Sequence, residues 1–260
     1  MTEVEFQIIK STGFVGALAA TVWLQRARPH AGSAGSWQLN GRLWVLNFVV
    51  LGIVCAGCAC SVSRWAEIEG IGLFNRVEVD AWLAIPLSLI WLDGVSYFWH
   101  RANHRIPLLW RFHQVHHSDR NFTATTGLRF HFGELLLALP IRLLAVVALG
   151  MSIPGIIVFE LVFAFATFFE HGDIDLPLAF EERLARIFIT PALHRRHHSC
   201  EARMLDSNYG TIFSFWDRAF GSFGESRSNV RIEPGLPGIP LDLGAGDALA
   251  MPLRGVLRGR

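Results

Sequence analysis

The stretch that decides the fold is "AWLAIPLSLIWLDGVSYFWHRANHRIPLLWRFHQVHH", Ala81 to His117. Its first nineteen residues, Ala81 to Trp99, hold a single charge, Asp93. At roughly 20 residues such a run is long enough to cross a bilayer as a helix. The next eighteen, His100 to His117, hold five histidines. A greasy span that runs straight into metal-friendly side chains is expected to deliver ligands to the membrane border.

The rest of the chain has the same character. Of 260 residues 52% are hydrophobic and 17% charged, too apolar for an ordinary soluble domain. A formal net charge of +1 leaves no electrostatic footprint for nucleic acid, which is excluded as a partner. Three of the four cysteines, Cys55, Cys58 and Cys60, lie as "CAGCAC" in a long apolar run. There small residues serve close helix packing, and a disulfide scaffold is not expected. The amino terminus opens with Glu3 and Glu5 and shows no small-residue cleavage site, so Thr12 to Leu24 reads as a retained, short anchor helix. Leu43 to Ser63 has no charge and reads as a full span, while Leu135 to Gly150 and Gly155 to Phe169 form a hairpin with slightly short arms. The expected fold is all-α, an integral membrane bundle of about four to five membrane helices with a cytosolic helical cap. Its parts are N-terminal membrane helices (1–80), a histidine-bearing domain (81–223) containing the hairpin 135–169, and a Pro/Gly-rich tail (224–260).

Sidedness follows from basic residues near the span ends. The loop after the first span carries Arg26, Arg28 and Arg42 and no acid, whereas Arg64 to Asp80 sets two arginines against Glu67, Glu69, Glu78 and Asp80. The first loop is therefore assigned to the cytoplasm. Counting crossings from there places every histidine cluster on the cytoplasmic face.

Eight of the eleven histidines fall in three clusters: His100 and His104; His113, His116 and His117; His194, His197 and His198. Positions i, i+3 and i+4 share a helical face, so each cluster is expected to turn its rings to one side and the three faces to converge. A lone buried histidine is usually a hydrogen-bonded core residue, but eight beside a membrane call for cations. They exceed the four ligands of a closed zinc site, so two metal ions is the economical count. His131 and His171 follow at the membrane border, and His30 stands apart. Carboxylates that orient ring N–H groups are sought nearby, with Asp93 two helical turns before His100 and with Glu134, Glu170, Asp173 and Asp206 near the others. Tyr97, Trp99 and Trp110 are candidates for an entry lining, against the plainer role of an interfacial belt. Arg142 and Glu160, at similar depth in the two hairpin arms, read as a structural ion pair.

Five segments, "DGVSYFWHRANHRIPLLWRFHQVHHS", "GLRFHFGE", "FFEHGDIDLP", "TPALHRRHHS" and "DSNYGTIFSFWDRAFGSF", resemble in order and spacing the fatty acid hydroxylase superfamily, also called the sterol desaturase family. The likeness covers about Ala81 to Phe223. It implies a membrane-embedded enzyme with a cytosol-facing, histidine-coordinated di-iron centre that uses O2 to hydroxylate or desaturate lipid C–H bonds. It assigns nine metal ligands: His100, His104, His113, His116, His117, His171, His194, His197 and His198. Two departures stand out. Phe132 replaces a proline in "RFHFGE", and Glu170, His171, Gly172 and Asp173 replace a frequent "HHSN" or "QHSN". They leave His131 as a ligand or a hydrogen-bonding neighbour of one, and bring Glu170 towards the metals; Asp93, Asp173 and Asp206 share that supporting assignment.

The implied cofactor is two Fe ions, although spacing alone admits Zn. The implied partners are a lipid substrate, the membrane and an external electron donor, a ferredoxin, cytochrome b5 or reductase. The chain has no dinucleotide fingerprint: "GAGD" at Gly244 to Asp247 lacks the third glycine and the strand-to-helix setting. Other readings of the same histidines are a non-redox zinc-dependent membrane hydrolase and a metal-binding or transport protein.

Overall fold

The computed structural model describes residues 2–55, 57–225 and 232–255. Five helices are long and apolar enough to cross a membrane. α1 (Glu3–Ala27) opens on a capping box between Thr2 and Glu5, which satisfies the first free N–H groups. α2 (Trp37–Cys55) is followed by short α3 (Cys58–Ile68) and α4 (Leu73–Arg76). The span expected from Leu43 to Ser63 falls within this stretch, Trp37–Arg76, whose backbone takes a left-handed turn at Gly57. A disulfide joins Cys55 to Cys58 at that corner. It is a local clip where the sequence reading expected only small packing residues.

α5 (Ala81–Arg105) runs past the predicted span and carries His100 and His104 on its last turns. It ends because Pro107 disfavours helical geometry at Ile106, which is extended (φ −98°, ψ 115°). Pro107 then opens α6 (Pro107–His117), where its missing N–H costs nothing. This break lets two histidine-bearing helices face each other instead of continuing in line. A 3-10 turn (Ala124–Leu128) leads to α7 (Phe132–Leu149), which stops at the left-handed Gly150, and to α8 (Ile153–His171), capped by Ser152. The cap is completed by α9 (Leu178–Leu184), α10 (Pro191–His197), α11 (Ala202–Leu205), α12 (Phe215–Ala219) and α13 (Ala245–Arg254).

Contacts fix which helix ends lie together. At one end, Gln25 of α1 accepts from the Ala124 and Asp173 N–H groups, and Asn40 of α2 donates to Asp119 and Thr125. At the other, Ser63 of α3 donates to the Met151 carbonyl, and Gly72, at φ 100°, lies where any Cβ would meet the Gly150 and Val147 backbone. The carboxyl ends of α1, α5 and α8 and the amino ends of α2 and α7 thus share one side with the whole cap. Trp23, Phe48, Ile53, Trp82 and Leu144 stand exposed around the spans, a belt that lipid covers. The protein is an integral membrane protein, as its composition predicts.

The expected tail is only partly a tail. Residues 226–231 and 256–260 lie outside the described residues. Between them, Leu236, Ile239, Ala248 and Met251 join Trp110 and Val115 of α6 and Leu39 and Leu43 of α2 in a second core. "GAGD" opens α13 in that core.

Candidate metal centre

The nine histidines gather into two groups. His100, His104, His113, His117 and His197 form one, and His116, His171, His194 and His198 the other; within each, one ring nitrogen per residue lies within 4.8 Å of the rest. The clusters do not each serve one side, as helical spacing suggested. Within "HQVHH" the i, i+4 pair His113 and His117 points to the first group, while His116, a quarter-turn away, points to the second. "HRRHH" does the reverse, sending His194 and His198 to the second group and His197 to the first. Neighbours in sequence diverge because adjacent helical residues are about 100° apart. Two copies of one spelling thereby cross-link two sites. The rings of His117 and His198 stack at 4.2 Å where the groups meet.

Hydrogen bonds settle which nitrogen five of the rings offer. Nδ1 of His100 donates to the Tyr209 carbonyl (2.8 Å), that of His197 to the Ser207 carbonyl (2.7 Å) and that of His171 to the Thr167 carbonyl (2.6 Å). His113 Nδ1 meets Glu134 Oε1 at 2.9 Å, and His116 Nδ1 meets the Arg129 carbonyl at 3.3 Å. Carbonyls and carboxylates accept, so in the neutral form of each of these five rings Nε2 carries a bare lone pair. Yet His171 Nε2 lies 3.1 Å from His116 Nε2 and 3.0 Å from His194 Nε2. Between His116 and His171 the lone pairs face each other and repel. Two nitrogens each about 2.1 Å from a shared cation, at right angles, stand about 3 Å apart. Nε2 of His100, His113 and His197 and both ring nitrogens of His117 and His198 are buried with no hydrogen-bond partner among the described residues. Buried polar atoms are rarely left so, and convergent ones fit a metal ion.

Burial also holds the rings in the ligand form. It is the main reason that His116, His117, His194 and His198 lie well below the usual histidine range, with the neighbouring rings adding to it. Burial and then His113 push His197 down to about 3. Neutral imidazole is the state that binds metal.

A cavity of about 280 Å³ opens onto both groups. His100, His113, His116, His171 and His194 form its floor together with Glu134 and Glu170; Trp99, Phe130, Leu135, Phe163 and Phe168 form apolar walls between α1, α5, α7 and α8. The profile of the family described as Fatty acid hydroxylase matches residues 85–222, more than half of the chain. The chain belongs to that family.

Within it, the chain is 34% identical over 148 residues to the ornithine lipid hydroxylase OlsE of Rhizobium tropici, covering 55% of this chain and 44% of that protein. It is 32% identical over 149 residues to the alkylglycerol monooxygenase of Danio rerio, 55% of this chain and 31% of that one. It is 28% identical over 166 residues to the cholesterol 25-hydroxylase of Rattus norvegicus, 62% and 54% respectively. The chain thus spans less than half the length of the first two relatives. No solved structure matches it.

The supporting residues are distributed differently from their sequence reading. His131 lies outside both groups: its Nδ1 caps α7 by accepting from the Gly133 N–H at 2.9 Å, and its ring stacks on Phe132. Asp93 touches no imidazole; its carboxylate accepts from the Ile212 and Phe213 N–H groups and the Trp216 indole. Asp173 binds the Ala31 and Ser33 N–H groups and pins the loop after α1. Asp206 stands 3.7 Å from His104 Nδ1, and Glu170 stands 3.6 Å from His194 Nδ1 and 3.8 Å from His171 Nδ1. Of the three aromatic candidates only Trp99 lines the cavity. Tyr97 is buried against Ser222, and Trp110 packs on His104 and His117.

One expected acid finds its ring, and one buried pair escapes the sequence reading. Glu134, one of the carboxylates sought to orient a ring N–H, does so as the direct acceptor for His113. The buried Asp119–Arg129 pair, at 3.1 Å, had no signal: Arg129 offers its carbonyl to His116 while Asp119 also accepts from Ser36, Asn40 and Thr126. Partners so far apart in sequence have no periodicity to announce them.

Proposed function

We propose that this chain is a membrane-bound di-iron oxygenase that hydroxylates or desaturates a C–H bond of a lipid, with O2 as oxidant and two electrons from a separate donor. His100, His104, His113, His117 and His197 would hold one iron, and His116, His171, His194 and His198 the other. Bound there, the irons would supply reductive O2 activation and the oxidation of an unactivated carbon, chemistry no side chain performs alone.

The observation that carries this reading is the convergence of bare Nε2 atoms on the floor of an apolar cavity. The chain's own contribution is orientation and exclusion. The Tyr209, Ser207, Thr167 and Arg129 carbonyls and the Glu134 carboxylate hold the rings by Nδ1. Trp99, Phe130, Phe163 and Phe168 guide a hydrocarbon chain to the floor and keep water away. Hydroxylase and monooxygenase relatives that act on three different lipids support the lipid class. Gly244 is the N-cap of α13 and Gly246 lies in its first turn, not in a nucleotide loop, in keeping with electrons arriving from a ferredoxin, cytochrome b5 or reductase. The histidine end faces the cytoplasm in this reading.

Two measurements test it. Purified chain should hold about two irons, and His197→Ala should lower that content and abolish turnover. Lipids of cells grown under O-18-labelled O2 should gain label in a gene-dependent hydroxyl group, or lose two hydrogens if the product is an alkene. Zinc in place of iron, or a hydroxyl oxygen drawn from water, would overturn the oxygenase and favour a hydrolase.

A further inference from the structure

The upper end of the same cavity holds three charged groups. Lys10 of α1, Glu160 of α8 and Arg142 of α7 all line it. Each lies seven residues in from the helix end remote from the histidines, at Glu3, Ile153 and Leu149 respectively. At 1.5 Å per residue that is roughly 10 Å inside the apolar layer. Glu160 binds Arg142 at 2.9 Å through Oε1 and Lys10 at 3.4 Å through Oε2. Each carboxylate oxygen thus meets one cation, and Arg142 also lies over the Phe159 and Phe163 rings. The sum is two cations against one anion. A structural ion pair needs only Arg142 and Glu160, so Lys10 leaves an excess positive charge at a depth where charges need partners.

Resting on the oxygenase reading above, we infer that this triad is the recognition site for the polar end of the substrate, a single-chain lipid that ends in an oxyanion, carboxylate or phosphate monoester. The excess charge is met by the oxyanion, for which Arg142 and the ammonium of Lys10 supply several N–H donors. The apolar walls take the chain. From Arg142 to Glu134 along α7 is eight residues and from Glu160 to His171 along α8 is eleven, so the carbon presented to the histidines lies roughly 12 to 16 Å from the oxyanion. Oxidation then falls far along the chain, away from the carbon next to the acid. A cavity of about 280 Å³ falls just below the range of roughly 300–1,000 Å³ for small-ligand pockets, room for no more than one chain.

The test is binding, which needs no turnover. Full-length protein in phosphatidylcholine nanodiscs is labelled with a photoactivatable hexadecanoic acid, and hexadecanoic acid, hexadecyl phosphate and hexadecan-1-ol compete. At least one of the two anions should compete tenfold or more better than the alcohol, and whichever wins names the oxyanion. Lys10→Met with Arg142→Met should erase that preference, whereas Glu160→Gln, which leaves both cations, should keep or increase it. Wild-type protein in which acid, phosphate and alcohol compete equally overturns the inference, and that comparison needs no variant to fold. So does a double variant of unchanged metal content that keeps the preference. Iron content and label incorporation, measured on the same preparations, report separately on the oxygenase reading: normal turnover with equal competition sinks only the triad, and a preference without iron sinks only the oxygenase.

Discussion

At the scale of the residue, an imidazole is useful here only if the correct nitrogen is bare and aimed. The chain secures this by giving Nδ1 a carbonyl or carboxylate to bind. Glu134 is the one side chain among those acceptors, 4% exposed and 2.9 Å from His113. Exchange to glutamine keeps the size and loses the charge that strengthens the bond. Glu134→Gln is expected to cost ten- to a hundred-fold in metal affinity or turnover, the usual toll for the hydrogen-bond partner of a ligand. Chelator competition followed by metal analysis checks it, and unchanged affinity would show that His113 needs no orienting acid. Eight of the nine histidines were legible because their spacing is local and repeated, and His171 only through the family resemblance. Which ring Glu134 serves, and any role for Asp119, were not, because an acid's sequence neighbours do not reveal what lies opposite it.

At the scale of the element, the positions of α5, α6 and α10 matter more than any one ligand. Pro107 and Pro191 set helix starts that the sequence displays openly, and the spans were legible from apolar length. Which turn braces which helix was not. Asp93 shows why: an acid in a spanning helix announces that it needs a partner, but not that the partner is the backbone at Ile212 and Phe213 some 120 positions later. That clamp holds the strand of chain carrying the Tyr209 carbonyl, which in turn orients His100. Asp93→Ala removes the acceptor of three N–H groups inside a protein where the carboxylate is wholly buried. The cost is expected to be about 3 kcal/mol, given roughly 1–3 kcal/mol for each buried group left unsatisfied. Thermal unfolding in detergent should move down by about 6 °C or more. Iron content should fall only partly, since no ligand is lost. A melting point within a degree of wild type would mean that the clamp is not what docks this turn.

At the scale of the whole molecule, sidedness joins two features that have nothing to do with the histidines. The loop rich in arginine, after α1, lies at the histidine end, which the positive-inside tendency assigns to the cytoplasm. The Cys55–Cys58 disulfide lies at the opposite end, beside Glu3 near the start of α1. Disulfides persist in oxidising compartments and are rare in the cytosol, and the proposed orientation, with the histidine end in the cytoplasm, puts the clip outside. The proposed orientation satisfies both tendencies. The same orientation would give an electron donor in the cytosol access to the helical cap, and would let a lipid reach the cavity from within the membrane. The consequence is measurable with single cysteines at exposed positions, with the native cysteines other than the disulfide pair replaced by alanine. Glu69→Cys, at the end of α3, should react with a membrane-impermeant maleimide in intact cells or spheroplasts. Glu182→Cys, in α9 of the cap, should react only after the membrane is opened. The reverse pattern would put the metal centre outside, and with it the electron supply on which turnover depends.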